Sequence, residues 1–181
     1  DRLSGSLATS LRESGVSSGD RVAFYMPNRL ETALLALAVN KLRAAWVPIN
    51  AEYKGEWLTN TIQRSRARVL VTDSQLAERV GSLASSPDDQ AIIDIDDDTL
   101  YDNSPLEPDY SQFDYGDTSA VIWTSGTTGR SKGVLVSYNG WLRPIHRGVS
   151  VFYDSQDSDV ILNVLPLYHA AAWNTSIFRA L

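Results

Sequence analysis

The sequence predicts a layered α/β domain built on a parallel sheet, and three observations predict it. Short apolar runs alternate with longer stretches of helical periodicity, an order that yields parallel strands covered by helices on both faces. Residues 30–42 are apolar on several faces (Leu30, Ala33, Leu34, Leu37, Ala38, Leu42), as in a helix packed inside a layered fold. The chain has 181 residues, with 43% hydrophobic and 21% charged side chains, enough for one domain with a real core.

Each element follows from its local pattern. Leu3, Leu7 and Leu11 recur at helical spacing and stop at Gly15. Residues 21–26 read as a strand ended by Pro27, and 45–49 as the next strand. Between 56 and 66 a helix turns Trp57, Leu58 and Ile62 inward. Val69-Leu70-Val71 is a short strand, Ser74 is expected to cap a helix through Leu83, and Ala91-Ile92-Ile93 is another parallel strand. Residues 94–117 read as a surface connection, and the run of Asp94, Asp96, Asp97 and Asp98 as solvated loop without the glycine and glutamate of a calcium loop. A hairpin is expected over 120–136, a strand over 160–164, and a helix beginning at His169.

Composition removes several function classes. A net charge of -6 argues against binding nucleic acid or anionic membrane. No cysteine is present, which excludes disulfides and thiolate metal sites and fits a reducing, cytoplasmic setting. The longest apolar run, 33–39, is far too short to span a bilayer, and no basic-then-apolar leader opens the chain. Asp1 in place of an initiator Met reads as the middle of a cut sequence.

The densest chemical signal is Thr124-Ser125-Gly126-Thr127-Thr128-Gly129-Arg130-Ser131-Lys132-Gly133-Val134. Its glycines let the backbone turn tightly, consecutive N–H groups form an anion-binding concavity, and hydroxyls and two cations add donors. The Walker pattern fails, because Lys132 is preceded by Ser131 and followed by Gly133. The dinucleotide fingerprint fails too, lacking its third glycine. Apolar residues on both sides make the run a strand–loop–strand hairpin rather than a linker.

This run resembles the glycine-rich signature of adenylate-forming enzymes, the superfamily of acyl- and aryl-CoA synthetases, luciferases and peptide-synthetase adenylation domains. Other stretches agree in order and spacing. Trp46-Val47-Pro48-Ile49-Asn50 resembles the family's "VPI/L-D/N" turn, Leu165-Pro166-Leu167-Tyr168-His169 its "P-L/M-F/Y-H" motif, and residues 3–28 the helix, "GDRV" strand and Asn-containing start that precede them. The similarity covers essentially the whole chain. It implies a partial N-terminal AMP-binding domain over 1–181, incomplete at both ends and without the C-terminal domain. Ser131 stands where the family usually has Pro, which should loosen the loop somewhat. The later family segments for magnesium, ribose and the hinge, and the C-terminal lysine, have no counterpart before Leu181, so no catalytic residue is assigned.

The resemblance implies a two-step reaction. A carboxylate attacks the α-phosphorus of ATP to give an acyl-adenylate, and coenzyme A then displaces AMP. ATP, Mg2+ and coenzyme A are the implied cofactors, a small carboxylic acid the partner, and no protein residue is expected to bind metal. Thr124, Ser125, Gly126, Thr127, Thr128, Gly129 and Lys132 are expected to hold the phosphates; His169 and Trp173 are expected beside the acid. The sequence Leu167-Tyr168-His169-Ala170 carries no carboxylate to pair with a substrate ammonium, which disfavours an amino acid, since a buried unpaired ammonium is costly. Residues 48–56 look most like synthetases for fatty or carnitine-type acids. A non-catalytic nucleotide- or acyl-binding module and a luciferase-like enzyme stay open as alternatives. The 181-residue chain by itself is expected to bind without turning over.

Overall fold

The computed structural model describes residues 1–81, 90–124, 131–147, 156 and 158–181. Strands and helices alternate as β1 (Arg21–Tyr25), α2 (Leu30–Lys41), β2 (Ala45–Ile49), α3 (Gly55–Ser65), β3 (Val69–Thr72), α4 (Ser74–Gly81) and β4 (Ala91–Asp94), after an opening helix α1 (Arg2–Glu13). β5 (Thr118–Thr124), β6 (Lys132–Ser137) and α5 (Tyr138–Arg147) follow. They form one six-stranded sheet in the order β4-β3-β1-β2-β5-β6. All neighbours are parallel except β5–β6, which is the expected antiparallel hairpin. Pro48 has no N–H to donate, and the β2–β5 pairing is correspondingly short, marked by Trp46 opposite Ala120.

Alternation of side chains across the strands splits the core in two. Val22, Phe24, Trp46, Val71 and Ile122 face α1, α2 and α5, whereas Ala23, Tyr25, Val47, Leu70 and Val121 face α3 and α4. Trp46 centres the first half, with ring centroids 4.3 Å from Trp173 and 5.7 Å from Trp141. α1 ends where Gly15 takes a φ of +89°, a conformation glycine adopts without strain. Among the described residues no helix is long and apolar enough to cross a membrane.

Three expectations need correction. Residues 160–164 form no strand and pair with no described strand, and Val160, Leu162 and Val164 are 97%, 81% and 76% exposed. Their alternation is strand-like; a neighbour to complete the ladder is what the described residues do not offer. Trp57 points outward at 57% exposure, leaving Leu58 and Ile62 as the buried face of α3, and Leu3 of α1 is also half exposed. α4 is capped by Asp73, whose Oδ1 accepts the Leu76 N–H at 2.8 Å, and not by Ser74. The Ser74 hydroxyl instead donates to the carboxylates of Asp94 and Asp96, each at 2.9 Å, so part of the acidic run is anchored while Asp96, Asp97 and Asp98 stay exposed, as expected. The connection 94–117 runs over the surface as expected, and it is partly laced to α1. Ser6, Thr9 and Ser10 donate to the carbonyls of Asn103, Ser104 and Leu100, each at 2.7 Å. Gly5 permits this approach, since a Cβ there would stand 2.8 Å from Pro105.

Candidate functional site

Open parallel sheets present ligand sites beyond the carboxyl ends of their strands, at the point where the strand order reverses. Here the order reverses between β1 and β3, and that position is filled by ion pairs. Arg29, just after β1, reaches Asp96 at 2.8 Å and buried Asp73 at 4.0 Å, and also pairs with Glu31 at 2.8 Å. Hydrogen bonds from Arg29 hold the Glu31 carboxyl below its ordinary range; for Asp96 the Ser74 N–H is the larger cause and Arg29 the next. Two strands further along the same edge, β5 ends at Thr124 and β6 begins at Lys132.

Those two residues form the last rung of the hairpin: Thr124 is opposite Lys132, and its hydroxyl donates to the Lys132 carbonyl at a long 3.4 Å. Both are exposed, placing a hydroxyl and an ammonium at the root of the glycine-rich loop. Ser125, Gly126, Thr127, Thr128 and Gly129 lie outside the described residues. The root is fastened from below. Gly133 sits so close to β5 that a Cβ would meet Val121 at 2.9 Å. Ser131 is buried, and its carbonyl accepts from Arg64 Nη1 of α3 at 2.7 Å. The donor set at this root, cation plus hydroxyl, suits phosphate oxygens.

The segment that leads into His169 is held at the same edge of the sheet by a different route. The turn 166–169 is closed by the His169 N–H donating to the Pro166 carbonyl at 3.0 Å, and exposed His169 precedes the short helix α6 (Ala170–Ala172). A π-helical stretch, Trp173–Ile177, and α7 (Phe178–Ala180) continue it; such π turns recur at functional sites. Trp173, expected beside the acid, is fully buried against Trp46 and Phe178, and its indole N–H donates to the Leu167 carbonyl at 2.7 Å. Asn28, just past the carboxyl end of β1, holds the turn from the other side. Its amide donates to the Leu165 carbonyl at 2.9 Å, and its Oδ1 accepts the Leu167 N–H at 2.7 Å. Since β1 and β5 are two strand spacings apart, roughly 10 Å, the anchor of the histidine turn and the lysine rung share one rim.

Reading the sequence missed two supports of this rim. Asn28 carried a signal, its place in the opening motif, but no role; Arg64 carried none.

The profile of the AMP-binding enzyme family matches residues 1–181. The chain belongs to the AMP-binding enzyme family. This AMP-binding chain is 30% identical over 183 residues to tyrocidine synthase 3 of Brevibacillus parabrevis, covering 98% of this chain and 3% of that protein. It is 29% identical over 175 residues to a long-chain-fatty-acid–CoA ligase of Mycobacterium tuberculosis, covering 92% of this chain and 34% of that one. Among solved structures, ATP-bound MatB from Rhodopseudomonas palustris superposes with a TM-score of 0.85 at 24% identity, over 99% of this chain and 37% of that one. The fold is that of the N-terminal domain of adenylate-forming enzymes. The AMP-binding chain thus spans at most about a third of the length of these two curated relatives.

Proposed function

We propose that this chain is the partial N-terminal, nucleotide-binding part of an acid–CoA ligase that activates a carboxylic acid with ATP. The observation that carries the reading is the exposed Thr124–Lys132 rung, opening a glycine-rich loop on the rim that also anchors the His169 turn. ATP would supply the electrophilic phosphorus that the acid's carboxylate attacks. What the chain contributes is placement: Lys132 and Thr124, with the loop 125–129, hold phosphate oxygens, and His169 stands beside the acid. Such chemistry gains from fixed donors aimed at anionic oxygens and needs no protein nucleophile. Trp173 supports the site from within the core, through the Leu167 carbonyl.

The family includes peptide-synthetase relatives, so activation of an amino acid is the competing reading. An amino acid is disfavoured because 167–170 offers no carboxylate for a substrate ammonium, and a fatty or carnitine-type acid is favoured by the likeness of residues 48–56 to synthetases for such acids. A cytoplasmic location, CoA as acyl acceptor and Mg2+ as the nucleotide's counterion belong to the same proposal. The test is acid-dependent ATP–pyrophosphate exchange by the full-length protein, across short, medium, long and aromatic acids and the amino acids, followed by thioester formation with CoA. Exchange with amino acids alone, or none with any acid, overturns the assignment.

A further inference from the structure

Among the described residues, the side chain that hydrogen-bonds the histidine turn from the exit of β1 is that of Asn28. A carboxamide offers both a donor and an acceptor, and Asn28 spends the two on a segment 137 and 139 residues away, at Leu165 and Leu167. The partners fix the amide's orientation, since a carbonyl needs the NH2 group and an N–H needs the oxygen. The backing of Asn28 is itself rigid. Pro27 precedes it with a fixed φ, the Thr32 N–H donates to the Arg29 carbonyl at 3.2 Å, and Arg29 is tied to Glu31 and Asp96. On the other side, the peptide groups of buried Leu167 are bonded in both directions, its N–H to Asn28 and its carbonyl to Trp173. His169 follows two residues later, in a turn closed onto Pro166.

We propose that Asn28 is a positioning residue: its carboxamide clamps 165–167 to the exit of β1 and thereby sets where His169 stands on the rim. The inference rests on His169 lying beside the acid, and it assigns acid recognition, not nucleotide binding, to the clamp. Removing the clamp loosens the turn, which keeps the bonds from Trp173 to the Leu167 carbonyl and from Asn163 to the Leu165 carbonyl, without touching the hairpin root, where Thr124 and Lys132 are held by their own ladder.

Two measurements test it on the full-length protein. The first is hydrogen exchange at the Leu167 amide. Asn28→Ala should expose it and speed exchange by about tenfold or more, while Asn28→Asp, which keeps the acceptor oxygen, should stay near wild type. The second is steady-state pyrophosphate exchange, where Asn28→Ala should raise KM for the acid by about tenfold and leave KM for ATP within about twofold. Asn28→Asp keeps the bond from the Leu167 N–H but sets a carboxylate oxygen against the Leu165 carbonyl in place of the donor, and should fall between the two. An unchanged Leu167 exchange rate, an unchanged acid KM, or equal rises in both KM values overturns the clamp. Should Asn28→Ala not fold, the acid KM of Asn28→Asp decides, and a value equal to wild type is the negative result. Wild-type protein lacking acid-dependent exchange would instead sink the ligase reading, leaving the Leu167 exchange result to judge the clamp.

Discussion

The guanidinium of Arg64 lies 5.4 Å above the ring of Trp123 and at the same time donates to the Ser131 carbonyl at 2.7 Å. Trp123 is in β5 and Ser131 stands immediately before β6, so a single side chain of α3 grips both arms of the hairpin whose loop carries the glycine-rich motif. This grip also bears on Ser131, which replaces the family's usual proline: the position is held by a hydrogen bond to its carbonyl rather than by a ring.

Loss of Arg64 should therefore loosen the hairpin. A cation over a half-buried indole contributes about 0.5–2 kcal/mol, and the hydrogen bond to the carbonyl of buried Ser131 about 0.5–1.5 kcal/mol. Arg64→Ala should lower stability by about 1–2 kcal/mol in urea titrations followed by tryptophan fluorescence. Arg64→Lys keeps the charge but not the planar fork and should recover only part of it. Identical midpoints for wild type and Arg64→Ala would show that the grip is ornamental.

A second prediction concerns the indole beneath the histidine turn. Trp173→Phe keeps the ring packed between Trp46 and Phe178 but removes the N–H that satisfies the Leu167 carbonyl. A buried acceptor left without its donor costs about 1–3 kcal/mol. Trp173→Ala adds a large cavity and should cost about 3–5 kcal/mol. Thermal or urea unfolding measures both, and a Phe variant as stable as wild type contradicts the role given to the N–H.

Periodicity made most of this fold legible. Strand and helix patterns over 21–81 are local, because burial on one or both faces writes itself into spacing. The segment 160–164 shows the limit: Val160, Leu162 and Val164 alternate as a strand does, but alternation reports what side chains favour, not whether a neighbouring strand is there. Ser74 misled for a related reason, since Asp73 is an equally good capping residue and only geometry chooses between them. At the site, the hairpin loop was legible because tight turns and close approach demand glycine. Asn28 and Arg64 were not, because each binds main-chain groups far along the chain. Every residue has a carbonyl, so such a contact leaves no mark on its partner's identity.

Lys132 tests the nucleotide half of the proposed function. Its backbone is fixed by the β6 ladder and its side chain is exposed, so Lys132→Ala should leave stability within about 0.5 kcal/mol of wild type. A charge-assisted bond to phosphate contributes about 1.5–3 kcal/mol, which predicts pyrophosphate exchange slowed by roughly one to two decades in the full-length protein. Exchange at the wild-type rate removes Lys132 from the phosphate site.

Tyr138, at the start of α5, gives the fold an alkaline limit. Burial chiefly, with the charge of Asp117 adding and that of Arg43 opposing, pushes its phenol up to about 12 from an ordinary value near 10. The hydroxyl stands 3.3 Å from both the carbonyl and the side-chain oxygen of Asn40, acceptors that favour the protonated form. A group whose folded pKa is raised contributes stability that is complete below its unfolded value and is lost as pH climbs through the folded one. That contribution should thus be whole below about pH 10 and decline as pH rises towards 12. Tyr138→Phe has no phenol to ionise, so its urea midpoint should fall less steeply than wild type's over that window, although it starts slightly lower for want of two weak hydrogen bonds. Other tyrosines and the lysines titrate there as well, and the difference between the two proteins isolates this one. Parallel curves from pH 8 to 12 would mean that Tyr138 ionises as freely in the folded chain as in the unfolded one.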